Sequence, residues 1–415
     1  MKTFQHTPDT QRRRQRVNRL PAASLSKRRR SRGRLRAIIV MLALSLSSIV
    51  ILTALAYHFT ALSGTPGNVV GNSPAFQPSQ SVTPLPPIIA NGRFHEYPLP
   101  QTDSEVMPPT IDHEGRLWFG EMGKNALAVF DPRTQTFRQM TPPRGHYSIM
   151  GVQVAQDDTI WFAEQDANYI GHYIPGTGRF QIYPLPEIPQ PASNNAGTSS
   201  MQASAPNELA FDTHGNLWFT EFNADALGWL DTHTGHMRHY PLPKSSVGLK
   251  LAPFGIAIDP EGMIWFTGAN SNQFGRFDPL TDQFRFFSWQ SSHEPFKEIA
   301  SDASGTLWLT TFTSNLLLRF NPSSGAFVPY HAPSLHNQAA GDSGYGLAGL
   351  AVSPKGDVWI TDPAENVIAR LDIATQRFTY YSIPTQASLP LGIVLGANHT
   401  TLWFTEVNKI GLLEL

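Results

Sequence analysis

Residues 255–287 read GIAIDPEGMIWFTGANSNQFGRFDPLTDQFRFF. Two turns divide the stretch, Pro260-Glu261-Gly262 and Asp278-Pro279-Leu280-Thr281. In the second turn the proline presets φ, and the Asp278 carboxylate accepts backbone N–H groups just ahead of it. The segments between turns predict four strands: A at 255–259, B at 263–267, C at 274–277 and D at 283–287. Strand B is apolar on both faces, as a strand must be when neighbouring sheets cover each side of its own.

The strand B signature recurs along the chain. It reads LWFGE at 117–121, IWFAE at 160–164, LWFTE at 217–221, IWFTG at 264–268, LWLTT at 307–311, VWITD at 358–362 and LWFTE at 402–406. The tryptophans fall 43 to 57 residues apart, and the shorter intervals match the ~40–50-residue period of propeller blades. Longer intervals absorb insertions such as 187–205, which is rich in Ser, Asn and Ala. A tryptophan on strand B is core packing by default.

The chain ends after a strand C, 409–415, with no strand D behind it. GRFHEYPLP at 92–100 resembles two strand D segments, GRFQIYPLP at 178–186 and GHMRHYPLP at 235–243. The N-terminal segment is therefore expected to complete the last blade and seal the ring, removing an open sheet edge. The expected fold is all-β: a seven-bladed β-propeller of four-stranded antiparallel blades over 92–415.

Ahead of it lie three segments of another kind. Residues 37–62 carry one ionisable group, His58, and are long enough for a transmembrane helix. Residues 1–36 hold 13 of the 31 Lys+Arg and a single acid, Asp9. By the positive-inside rule this tail stays cytoplasmic and the propeller lies outside the cell. An alternative reading of the basic run is a nucleic-acid-binding arm. Ala54-Leu55-Ala56 resembles a signal-peptidase site, but the long apolar run favours an uncleaved anchor. Residues 63–91, rich in Pro, Ser and Gly, read as a flexible linker.

Residues 37–415 carry 18 basic against 31 acidic side chains, a net of −13. That balance argues against a nucleic-acid partner, which needs a basic surface. The absence of cysteine excludes disulfides, thiolate nucleophiles and cysteine–zinc sites. No nucleophile elbow, phosphate-binding glycine loop or zincin motif occurs. The expected partner is an extracellular small molecule, peptide, glycan or protein, met by a monomer.

A propeller binds ligands at the channel mouth, where strands A begin and strands B end. The strand B ends Glu121, Glu164, Glu221, Asp362 and Glu406 suggest a ring of carboxylates able to hold Mg²⁺ or Ca²⁺. Each could equally cap a loop. Just ahead of strands A come Pro109, Met150, Asn207, Phe254, Lys297, Ala348 and Leu391, with Glu208 and Glu298 beside them. His146 and His293 fall in loops on the mouth side, whereas His239 and His331 sit on outer strands and read as surface residues. Candidate catalytic residues are Glu298, Lys297, Glu208, Asn207 and His293. Candidate metal ligands are Glu406 and Glu298.

GIAIDPEGMIWFT, LWFTEFNADALGWL and the repeated YPLP resemble the virginiamycin B lyase (streptogramin lyase) family over 92–415. The resemblance implies a Mg²⁺-dependent lyase that opens a cyclic depsipeptide at its ester by elimination. It also implies a mouth His in the sixth repeat, a Glu-x-His in the seventh, and a metal-binding Glu ending the last strand B. Glu406 matches the last of these. The sixth-repeat His falls at Ala348, and the Glu-x-His at Leu389-Pro390-Leu391. Alanine and leucine cannot move a proton, which an elimination requires. The sequence therefore favours a binding module over a lyase, with a divergent metal-dependent lyase or hydrolase using a relocated site as the alternative.

Overall fold

A computed structural model describes residues 85–144, 148–189, 201–243, 250–289, 294–335 and 346–415. All of them belong to the unit Gly71–Leu415. The basic tail, the apolar stretch 37–62, linker residues 63–84, His146 and His293 lie outside the described residues.

Seven sheets are built in the order A-B-C-D. In blade 4 the strands are Pro253–Ile258, Ile264–Gly268, Gln273–Asp278 and Gln283–Ser288, close to the predicted boundaries. Blades 1 to 6 span 110–140, 149–184, 206–241, 253–288, 296–331 and 350–382. Blade 7 takes strands A to C from 393–414 and its strand D from Arg93–Pro98. Strands A of successive blades touch one another and line the axis.

Three positions cooperate in blade 4, and parts of the pattern recur in other blades. Strand B is buried throughout, from Leu117–Glu121 to Val358–Asp362. Its tryptophan is tied to the preceding turn: Asp259 accepts the Glu261 and Met263 N–H groups at 2.9 Å each and the Trp265 indole N–H at 2.7 Å. The same tie joins Asp112 to Trp118 and Asp212 to Trp218. One carboxylate thus closes the A–B turn and satisfies a donor that would otherwise be buried alone. The phenylalanine after the tryptophan lies over a glycine of strand C. A Cβ on Gly275 would sit 2.2 Å from the Phe266 ring, so the ring can lie flat only where the side chain is missing. Burying such a ring contributes roughly 1.5–3 kcal/mol relative to leaving it exposed.

Closure follows expectation. Arg93–Pro98 pairs antiparallel with Lys409–Glu414, Arg93 opposite Glu414 and Pro98 opposite Lys409. Phe94 packs edge-on against Phe404, and Tyr97 reaches Phe130 of blade 1 at 4.8 Å. The exposed Arg93–Glu414 ion pair at 2.9 Å adds little beside that packing.

Two details depart from the sequence reading. Residues 88–90, assigned to the flexible linker, form a strand parallel to Arg377–Ser382, so blade 6 has five strands. The Arg377 guanidinium also donates to the Pro86 carbonyl at 3.0 Å. Ile88-Ile89-Ala90 is short and apolar, and its neighbour strand is already pinned two residues later, so pairing costs little further chain entropy. The insertion at 187–205, read as loop, begins and ends in a small hairpin, Ile188–Pro189 with Met201–Gln202.

Candidate functional site

Strand side chains leave perpendicular to their sheet. In a radial sheet they therefore point between blades, and only a break in the alternation can aim them at the axis. Such breaks occur at the start of strands A. The register slips by one residue at Met150-Gly151, Asn207-Glu208, Phe254-Gly255 and Lys297-Glu298. Backbone bonds from Ala348 N to Thr361 O, Leu391 N to Thr405 O and Met107 N to Gly120 O put the same feature in blades 6, 7 and 1. The blade 1 residue at the mouth is thus Met107, two positions before the expected Pro109. The adjacent Pro108 and Pro109 had obscured the register.

The bulges are held by threonine hydroxyls from strand B. Thr267 Oγ1 accepts the Gly255 N–H at 2.8 Å and donates to the Lys297 carbonyl of the next blade at 2.7 Å. Thr220 does the same between Glu208 N–H and Phe254 O, and Thr310 between Glu298 N–H and Ala348 O. Sequence reading missed this role, although the threonine recurs after the aromatic pair of strand B as its visible mark.

The sequence-predicted residues Asn207, Glu208, Lys297 and Glu298 are brought together by these bulges. Asn207 is fully buried and donates to the Phe254 carbonyl at 3.3 Å. The Lys297 ammonium lies 5.8 Å from the centre of the Phe312 ring, and Phe254 meets the same ring edge-on at 5.1 Å. Phe312 was not foreseen, since it lies in the turn after strand B. Glu208, Lys297 and Glu298 each keep some accessible surface, but the enclosing ring desolvates them. Burial, then the Glu298 charge, pushes the Glu208 carboxyl well above the usual range, with Lys297 opposing. Burial pushes Glu298 up, again against Lys297. Burial pulls the Lys297 amine down, while both carboxylates resist. Such a mixed cluster can take or give a proton, or hold a ligand charge.

The strand B acids behave otherwise. Glu121 accepts from Gln139 at 2.7 Å and Glu221 is hydrogen-bonded to His239 at 2.6 Å, both partners being on the outermost strand of the same blade. Glu406 lies beside Glu96, also on a strand D, and burial followed by the Glu96 charge pushes its carboxyl up to about 7. Asp362 accepts the Ala364 and Glu365 N–H groups. Glu121, Glu221 and Glu406 turn outward into their own blades and Asp362 caps its own turn, so these four do not form the expected carboxylate ring. His239, on the outer strand as expected, is half-buried by this contact, being 28 % exposed. Glu406 and Glu298 sit in blades 7 and 5 with separate partners, and no three His, Asp or Glu side chains converge for a metal ion among the described residues. Ala348 is 1 % exposed, and Leu391 is half-buried.

Residues 189–346 match the Virginiamycin B lyase family model. No curated protein sequence matches the chain. Among solved structures, virginiamycin B lyase from Staphylococcus aureus is similar at a TM-score of 0.67 and 23% identity, covering 78% of this chain and 100% of that one. A streptogramin B lyase has the same TM-score at 25% identity, covering 78% and 98%. The extracellular domain of a putative hybrid two component system from B. thetaiotaomicron reaches 0.58 at 18% identity, covering 78% of this chain and 43% of that one. The chain thus shares the seven-bladed propeller fold of virginiamycin B lyase.

Proposed function

We propose that the chain is a membrane-anchored, extracytoplasmic propeller that binds a ligand or partner at its channel mouth. The single observation that carries this reading is the exchange of chemistry around the mouth. Ala348, Leu389 and Leu391 occupy the positions where the resemblance calls for proton-moving and metal-binding groups. Glu406 remains, but it is buried against Glu96 rather than facing other donors. The residues present do not fit the family's Mg²⁺ set, and no elimination step is derived through one. An apolar mouth with a few placed polar groups suits recognition. Anchoring is supported by the apolar run 37–62 behind a basic tail, and the extracellular sensor domain of similar fold is compatible with a sensing role.

A divergent lyase or hydrolase is the second reading, favoured by the cluster of Glu208, Lys297 and Glu298 with their shifted proton affinities. Incubating the full chain with Mg²⁺ and quinupristin, which a solved structure of a catalytically inactive virginiamycin B lyase contains, and following ring opening by mass spectrometry, separates the two. Binding predicts no linear product above the protein-free control. Linear product that disappears in Glu298→Gln would replace the binding reading with the enzymatic one. Protease accessibility of the propeller in intact cells tests the export.

A further inference from the structure

We infer that the mouth takes an amphipathic organic cation, with its apolar part on blades 6, 7, 1 and 2 and its ammonium group between Glu208 and Glu298. The inference rests on the mouth being a binding surface and names the ligand class.

The first bulge position runs around the ring as Ala348, Leu391, Met107 and Met150, then Asn207, Phe254 and Lys297. One arc is therefore wholly apolar and the other polar and aromatic, a division visible only once the ring closes. The second bulge position is Gly151, Gly255, Gly349 or Gly392 in four blades and Pro108 in a fifth. A reason is steric. A Cβ on Gly255 would meet the Lys297 carbonyl at 2.6 Å, and one on Gly151 would meet the Asn207 carbonyl at 2.6 Å and Glu208 Oε2 at 3.1 Å. The remaining two blades, 3 and 5, flank blade 4 and its Gly255 in ring order and carry Glu208 and Glu298, with Glu208 Oε2 on the Gly151 side. Packing asks for glycine there, so the two long acids answer another demand.

The charges name that demand. Two carboxyl groups share one ammonium, Lys297, so when both are ionised one of them has no counter-charge. The Phe312 ring already accepts an ammonium, that of Lys297 at 5.8 Å, so an enclosed cation is compatible with the aromatic wall. At longer range the net −13 of residues 37–415 steers cations toward the molecule and repels anions. An anionic or purely apolar ligand would leave one of the two carboxylates without a counter-charge.

The test uses the full chain in detergent and three probes of one shape, 2-phenylethylamine, 2-phenylethanol and phenylacetate, titrated calorimetrically. The amine is expected to bind about tenfold or more tightly than the alcohol, the scale of one charge-assisted hydrogen bond, with phenylacetate weakest. Glu208→Gln and Glu298→Gln should each erase that preference while leaving the alcohol unchanged. Lys297→Met should tighten the amine severalfold, a gain that misfolding cannot imitate. An amine no tighter than the alcohol, or a preference that survives both glutamine variants, overturns the cation inference. If alcohol and phenylacetate then still bind, and Leu391→Asp weakens them, the mouth reading stands alone. Binding by none of the three sinks both for this ligand class.

Discussion

Thr267 and Lys297 are joined across a blade boundary: the threonine hydroxyl donates to the lysine carbonyl at 2.7 Å while accepting the Gly255 N–H at 2.8 Å. One side chain thereby sets the spacing of blades 4 and 5 at the point where Lys297 and Glu298 leave the sheet. Thr220, Thr310 and Thr361 repeat the clasp in blades 3, 5 and 6.

Thr267→Val keeps the shape and removes both bonds, stranding a buried N–H and a buried C=O. It should cost about 1–3 kcal/mol in urea unfolding, whereas Thr267→Ser should recover most of the loss. Equal stability of the valine and serine variants would show that the hydroxyl is not a clasp.

Asp225 occupies the turn before strand C where the other six blades carry Asn125, Asn168, Asn272, Asn315, Asn366 and Asn408. Asn168 accepts the Ser204 N–H at 2.8 Å and donates to the Leu185 carbonyl at 3.1 Å. Asp225 accepts the Ala252 N–H at 2.9 Å but has no donor to return, and burial pushes its carboxyl up. Asp225→Asn should therefore raise stability by about 1 kcal/mol at pH 7, read as an increased Tm. A lowered Tm would mean that the charge has a role of its own.

Glu406 is pushed up to about 7 and Asp362 to about 6, each chiefly by burial. Both shifts are upward for acids, so the folded state holds protons that the unfolded chain has released. Their contribution is complete below the ordinary carboxyl range near 4.5 and is lost as pH rises through 6 and then 7. Relative to the parent, Glu406→Gln should gain stability between pH 5 and 8, by about 2–3 kcal/mol at the upper end. A difference that stays flat across that interval in chemical unfolding would remove the proton from Glu406.

A chain starting at residue 85 keeps both N-terminal strands, whereas one starting at 101 leaves Lys409–Glu414 as an open edge. The first should run as a monomer by light scattering. The second should associate or aggregate, because an unpaired apolar strand is a template for another chain. Monomeric behaviour of the shorter chain would show that closure is dispensable.

Much of the architecture could be read directly because propeller repeats are local. A strand pair and its turn span about twenty residues, so Trp265, Asp278-Pro279 and the two YPLP segments announce their places wherever the chain goes. The closing strand was legible for the same reason, by likeness to its siblings. The short pairing of Ile88–Ala90 was not, since three residues carry no period and the surrounding composition is that of a linker. Asn207, Glu208, Lys297 and Glu298 could be picked out as polar residues ahead of strands A. Their convergence, the outward turn of Glu121, Glu221 and Glu406, and the place of Met107 could not.

By itself the chain's order of residues determined the number of blades, the identity of the missing strand and the chemistry available at each blade's inner end. Tertiary structure alone decided which of those ends look at the axis. Period two assigns a side chain to one face or the other of its sheet, and neither face of a radial sheet is the channel. Only the bulges, locked by hydroxyls reaching across to the next blade, break the alternation at Glu208 and Glu298, and that contact exists only once neighbouring blades are packed together.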